Sequence, residues 1–89
     1  LIELDSIPLA DLSPGQSGVV AEVSDHDPGL LRYIGGMGLY PHTNVKVVAV
    51  EPFSGPITVK VGDEKHILGA EAAQYVFITD IKGKHQGDS

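Results

Sequence analysis

Three consecutive residues, Asp25-His26-Asp27, carry the densest set of metal-capable side chains in this chain. Two carboxylates flanking an imidazole give the mixed oxygen and nitrogen donors that ferrous iron and manganese(II) accept. Asp25, His26 and Asp27 are therefore the candidate metal ligands. A second reading of the same residues needs no metal. Asp27-Pro28 is a helix start, with the aspartate accepting from free first-turn amides and proline in the first helical position. Asp25 and His26 would then be solvated turn residues. The two readings stay open at this level. His42 and His66 stand alone in the sequence and are expected to be structural, and His85 lies near the C-terminus.

Catalytic chemistry finds no support. Cysteine is absent, which removes thiolate nucleophiles, thiolate metal ligands and disulfides together. No serine occupies a nucleophile-elbow pattern and no H-E-x-x-H occurs. The glycine run Gly35-Gly36-Met37-Gly38 follows a helical pattern instead of opening one, so it is not a phosphate cradle. The expectation is a non-enzyme.

Composition sets further bounds. Eighty-nine residues make one domain with a single compact core. The net charge of −6 and only six Lys and Arg residues argue against direct nucleic-acid contact by this piece, because phosphate binding needs clustered cations. No apolar run approaches the ~18 residues of a membrane helix, and no signal-peptide pattern opens the chain. Membrane insertion is not expected, and the missing cysteines suit a reducing, cytoplasmic setting. The chain opens on Leu1 without methionine, as expected of a piece of a longer protein.

The elements that must position these residues read mainly as short strands. Residues 1–8 read as a leader or linker with room for an edge strand. Leu9 and Leu12 share one helical turn before Ser13-Pro14-Gly15 forces the chain round. A valine-rich strand follows over 18–24, where alternation puts Val19, Ala21 and Val23 on one face. Val20 breaks that pattern, leaving a bulge or burial on both faces. Further strands run over 44–51, 57–61, 65–68 and 75–79, with a Gly62-Asp63 hairpin turn between the third and fourth of the five. In the 44–51 strand, Val48 and Val50 make the second face apolar as well, which leaves room for burial on both faces. One helical turn fits 70–74, and residues 81–89 read as a disordered tail. The only credible longer helix begins at Asp27-Pro28, carries an apolar stripe of Leu30, Leu31, Ile34 and Met37, and ends with Gly38 in the left-handed conformation. Five strands and one short helix imply a small closed barrel or sandwich with the helix docked on it.

The order of motifs then points to a family. The run G-x-V-x-x-V-S-D, D-P-x-L-L-R-Y, G-L-x-P, V-x-V, P-F-x-G-P-I-T-V-x-V-G and L-G-x-x-x-A, from about Leu9 to Thr79, resembles the FeoA-type domain. The resemblance implies an SH3-like barrel over residues 9–80. Such domains stand alone as small cytosolic partners of a ferrous-iron transporter. They also occur as C-terminal domains of iron- or manganese-dependent repressors of the diphtheria toxin repressor family. The S-D-H-D-P-G-L-L-R-Y segment is similar to the repressor version. That branch implies a homodimeric parent, partner surfaces on its own N-terminal DNA-binding and dimerisation domains, and iron(II) or manganese(II) in the intact protein. It also implies ancillary metal ligands from this barrel, carried over onto Asp25 or Asp27. The matching glutamine position falls on Pro28 or Leu30, which cannot ligate. No tight metal binding is expected of this domain alone. SH3-like grooves bind proline-containing peptides or partner domains, and here Tyr40, Pro52, Phe53 and Pro56 are the candidate lining. The family commonly places glycine after the proline of G-L-x-P. His42 stands there instead, so a turn needing positive φ would cost strain.

Overall fold

The computed structural model describes residues 6–24 and 27–83. Six strands form one antiparallel sheet: β1 (Ile7–Pro8), β2 (Ser17–Val23), β3 (Asn44–Val50), β4 (Ile57–Val61), β5 (Glu64–Leu68) and β6 (Val76–Lys82). Their order across the sheet is β1-β6-β2-β3-β4-β5. Two helices, α1 (Pro28–Gly35) and α2 (Ala70–Ala73), and a 3-10 turn at Leu9–Asp11 complete the domain. The mainly β, SH3-like architecture matches expectation, with six strands where five were expected. The extra strand is β1, which pairs Ile7 with Ile78 and Pro8 with Phe77. Proline hides it in the sequence, yet an edge strand tolerates a residue without an N–H. The sheet therefore reaches beyond 9–80 at both ends, to Ile7 and to Lys82. The rest of the leader (1–5) and of the tail (84–89) lies outside the described residues.

All the elements close on one core. Leu9 and Leu12 come from the N-terminal turn, Val20 from β2, and Ile34 and Leu39 from α1 and its exit. Val45 and Val47 of β3, Ile57 and Val59 of β4, Leu68 of β5, Ala72 and Ala73 of α2, and Val76 and Ile78 of β6 complete it. No polar side chain is buried among the described residues. A single sheet has two faces, so putting residues from five strands into one cluster requires the sheet to curl strongly. The bulges provide that curvature. The β2–β6 register shifts between Ser17 and Val19 and again between Val20 and Glu22, and the β3–β4 register shifts between Val47 and Ala49.

Three expectations are corrected here. In β2 strict alternation gives way to the bulge, one of the two alternatives: Val20 is buried, Val19 half-buried and Ala21 exposed, while Val23 packs against the core. In β3 the second face is open, with Val48 37% and Val50 39% exposed. Along α1 and its exit, Ile34 is buried and Leu30 and Met37 pack at the edge of the core, but Leu31 is 39% exposed. A helix of eight residues turned 100° per residue cannot bury adjacent positions equally.

Gly18 is the tightest point of the curl. A Cβ there would overlap the Ile78 side chain and lie 2.7 Å from the Thr79 carbonyl oxygen. The second contact is backbone and cannot turn aside. Gly18→Ala is expected to destabilise the domain by about 1–3 kcal/mol, the range for overpacking a closed core, as read from urea unfolding.

Candidate functional site

Helix α1 is fixed at both ends by its own sequence. Asp27 is the N-cap, in extended conformation, and its Oδ1 accepts from the Gly29 N–H at 2.8 Å, with Pro28 in the first helical turn. At the other end Gly38 has φ +82°. The Gly38 N–H donates to Gly35 O at 2.9 Å and the Leu39 N–H to Ile34 O at 3.4 Å. That pair of bonds is a Schellman ending, with its customary apolar contact supplied by buried Ile34 and Leu39. The expected cap and left-handed stop are both in place.

Beyond the helix, His42 has φ +76°. Its N–H donates to Val20 O at 2.7 Å, and the Val20 N–H donates to Thr43 O at 2.9 Å. The left-handed turn thus swings the chain onto β2 and starts its pairing with β3. The two bonds offset the crowding of a side chain in this conformation.

Of the candidate metal ligands, Asp25 and His26 lie outside the described residues. Asp27 is described, exposed, and engaged as the cap. It also lines a cavity of about 530 Å³ together with Leu30, Glu71 of α2 and Tyr75. Glu71 was not singled out from the sequence. It is distant in sequence, and only the fold brings the two carboxylates to one cavity. Among the described residues no group of three His, Cys, Asp or Glu side chains is arranged to hold a metal ion. Two carboxylates fall short of the six oxygen or nitrogen donors a hard divalent ion takes. His66 is half-buried opposite Val59, with Nε2 3.4 Å from Oε1 of the exposed Glu64.

The candidate groove residues separate. Tyr40, 59% exposed, lines an apolar cavity of about 280 Å³ with Leu31, Ile34, Leu39 and Pro41. Pro52, Phe53 and Pro56 are not among the residues lining that cavity. They sit in the β3–β4 connection, where the Gly55 N–H donates to Pro52 O at 3.1 Å. Phe53 (φ +60°) and Ser54 (φ +59°) are the central pair of this turn. Two successive positive φ values define a type I′ hairpin turn, which favours Asn-Gly. Phe53 occupies the first of those positions with its side chain 99% exposed.

Comparisons with known proteins agree on the fold. A family model described as "FeoA domain" matches residues 7–80. A solved iron uptake regulatory protein (FeoA) is 27% identical, with a TM-score of 0.77 over 83% of this chain and 96% of that one. A manganese-dependent transcriptional repressor is 30% identical, with a TM-score of 0.81 over 89% of this chain and 44% of the repressor. A zinc complex of FeoA from Stenotrophomonas maltophilia, described as an SH3 domain protein, shares the fold at 24% identity, with a TM-score of 0.76 over 86% of this chain and 96% of that one. The chain thus spans nearly all of these two FeoA proteins and less than half of the repressor. No match is found among curated proteins. Among the described residues no helix is long and apolar enough to cross a membrane.

Two substitutions separate local backbone roles from metal chemistry. Asp27→Ala is expected to lower stability by about 1 kcal/mol through loss of the cap, measured by urea unfolding in metal-free buffer. His42→Gly is expected to raise stability by about 1 kcal/mol as the left-handed strain is relieved, and a lowered midpoint would refute this account of His42.

Proposed function

The chain belongs to the FeoA domain family, and from that premise we propose that it is the C-terminal regulatory domain of an iron- or manganese-dependent transcriptional repressor. In this role it is non-enzymatic and cytoplasmic, and it packs against the DNA-binding and dimerisation domains of its own parent. The reading is carried by the likeness to the manganese-dependent repressor, which exceeds that to the FeoA protein in identity and TM-score. The absence of a three-ligand group among the described residues is compatible with a domain that lends at most part of a metal site. Asp27, with Asp25 and His26, is the contribution we assign to it, completed by residues of another domain. Glu71 shares the cavity with Asp27 and joins that set as a third carboxylate.

The β3–β4 turn supports a role in packing against protein. A fully exposed phenylalanine in a left-handed turn is unfavourable twice over, for its hydration and for its backbone. Both costs are offset where Phe53, with Pro52 and Pro56, is covered by a partner surface. Tyr40 then serves a separate apolar recess between α1 and the barrel. The second reading, a free-standing accessory protein of ferrous-iron transport, draws on the FeoA protein that this chain covers almost end to end.

The coding sequence upstream of Leu1 distinguishes the two, since an in-frame winged helix is expected for the first and an initiator methionine directly before Leu1 would sink it. Calorimetric titration of this chain with manganese(II) is expected to show no tight site, whereas one tight site would overturn the shared-ligand reading. Phe53→Asn is expected to stabilise the isolated chain by roughly 1 kcal/mol, because asparagine tolerates the left-handed turn. In the intact parent the same change is expected to loosen this domain, seen as faster proteolysis at its boundary.

A further inference from the structure

The chain's few cations are not dispersed in space. The strand registers place Lys82 opposite Ser17, Ser17 opposite Lys46, Lys46 opposite Lys60, and Lys60 opposite Lys65. Directly paired residues point to the same face, so four of the six Lys and Arg residues form one row across β6, β2, β3, β4 and β5. All four lysines are exposed. Three of them, Lys46, Lys60 and Lys82, converge on a single cavity of about 410 Å³, with Ser17, Asn44 and Asp80 beside them. Like charges directly opposite each other on a sheet are destabilising, and among the described residues no salt bridge to any of these four lysines is seen. A chain of net charge −6 has ample carboxylates, yet only Asp80 is set at this cavity. The row spans about 19 Å, four inter-strand spacings of about 4.8 Å, close to the reach of about six extended residues.

We propose that this lysine row is a docking surface for an acidic stretch of polypeptide. Charge complementarity selects an anion, and the surroundings select its kind. The next outward row along the same strands is Ala49, Thr58 and Ile67, with Ile67 65% exposed. A segment whose carboxylates meet the lysines can therefore rest apolar side chains on its flank. No aromatic residue lines the cavity, so a nucleobase has no stacking platform. Long polyanions and anionic membranes extend past the row and meet the acidic remainder of the domain, whereas a short acidic segment ends with the row. The proposal holds for either parent protein considered above.

The test is titration of the 15N-labelled chain with a hexaglutamate peptide, followed by amide chemical shifts. Shifts centred on Ser17, Lys46, Lys60, Lys65 and Lys82 are expected, fading as salt rises from about 20 to about 200 mM because the Debye length shortens about threefold. Lys46→Glu/Lys60→Glu is expected to weaken binding at least about tenfold, while Arg32→Glu, off the row, leaves it unchanged. If circular dichroism shows the first double variant misfolded, Lys65→Glu/Lys82→Glu serves the same comparison. The proposal is overturned by absent or scattered shifts, or by peptide binding that survives the charge reversals. It is equally overturned if oligothymidylate or phosphatidylserine vesicles engage these lysines more tightly than hexaglutamate.

Discussion

Strand β2 is shared by two neighbours, β6 and β3, that must direct their buried side chains at the same core. It can do so because Gly18 has no side chain where Ile78 and the Thr79 carbonyl press against it. The remaining architecture follows from that close crossing. The register shifts at Gly18 and Ala21 bend the strand, the bend rolls the sheet, and α1 and its exit add Ile34 and Leu39 to the core so formed. The left-handed His42 then returns the chain to β2 through its bond to the Val20 carbonyl. Helix, turn and bulged strand form one connected device around the core.

Strain within the domain is unevenly compensated. The positive φ of His42 is tied to two backbone hydrogen bonds that start the β2–β3 ladder, so it serves the fold. Phe53 has a similar backbone conformation but presents its whole side chain to solvent. Nothing in the barrel requires an aromatic there, since Asn-Gly would make the same turn at lower cost. Backbone strain of this second kind is the sort that accompanies binding surfaces. The metal-capable residues behave differently again. Asp27 has a structural role as the helix cap, and it also lines a cavity shared with Glu71 of α2.

Charge follows the same separation of local and tertiary causes. Lys46 and Lys60 stand on their strands for an ordinary reason, an outward position next to buried valines, Val45 and Val47 around Lys46 and Val59 before Lys60. Their alignment comes from strand register alone. Shifting any one strand by a residue would have sent its lysine to the other face.

Much was legible from residues alone. The Asp27-Pro28 cap, the Gly38 stop, the Leu9 and Leu12 turn, the Gly62-Asp63 hairpin and the family pattern all depend on interactions a few residues apart, so sequence by itself determined them. The sequence also showed that His42 would bear strain if its turn needed positive φ. What it could not show depends on which strands meet and in what register. Tertiary structure decided that Pro8 belongs to a strand, that a bulge turns Val20 inward, and that Leu31 is left at the surface. Tertiary structure also brought Glu71 beside Asp27 and gathered lysines that look scattered in the sequence into one row. The physical reason is common to all of these. Caps and turns are satisfied within one or two turns of chain, whereas burial, bulge and cross-strand alignment exist only after the sheet has closed on its core.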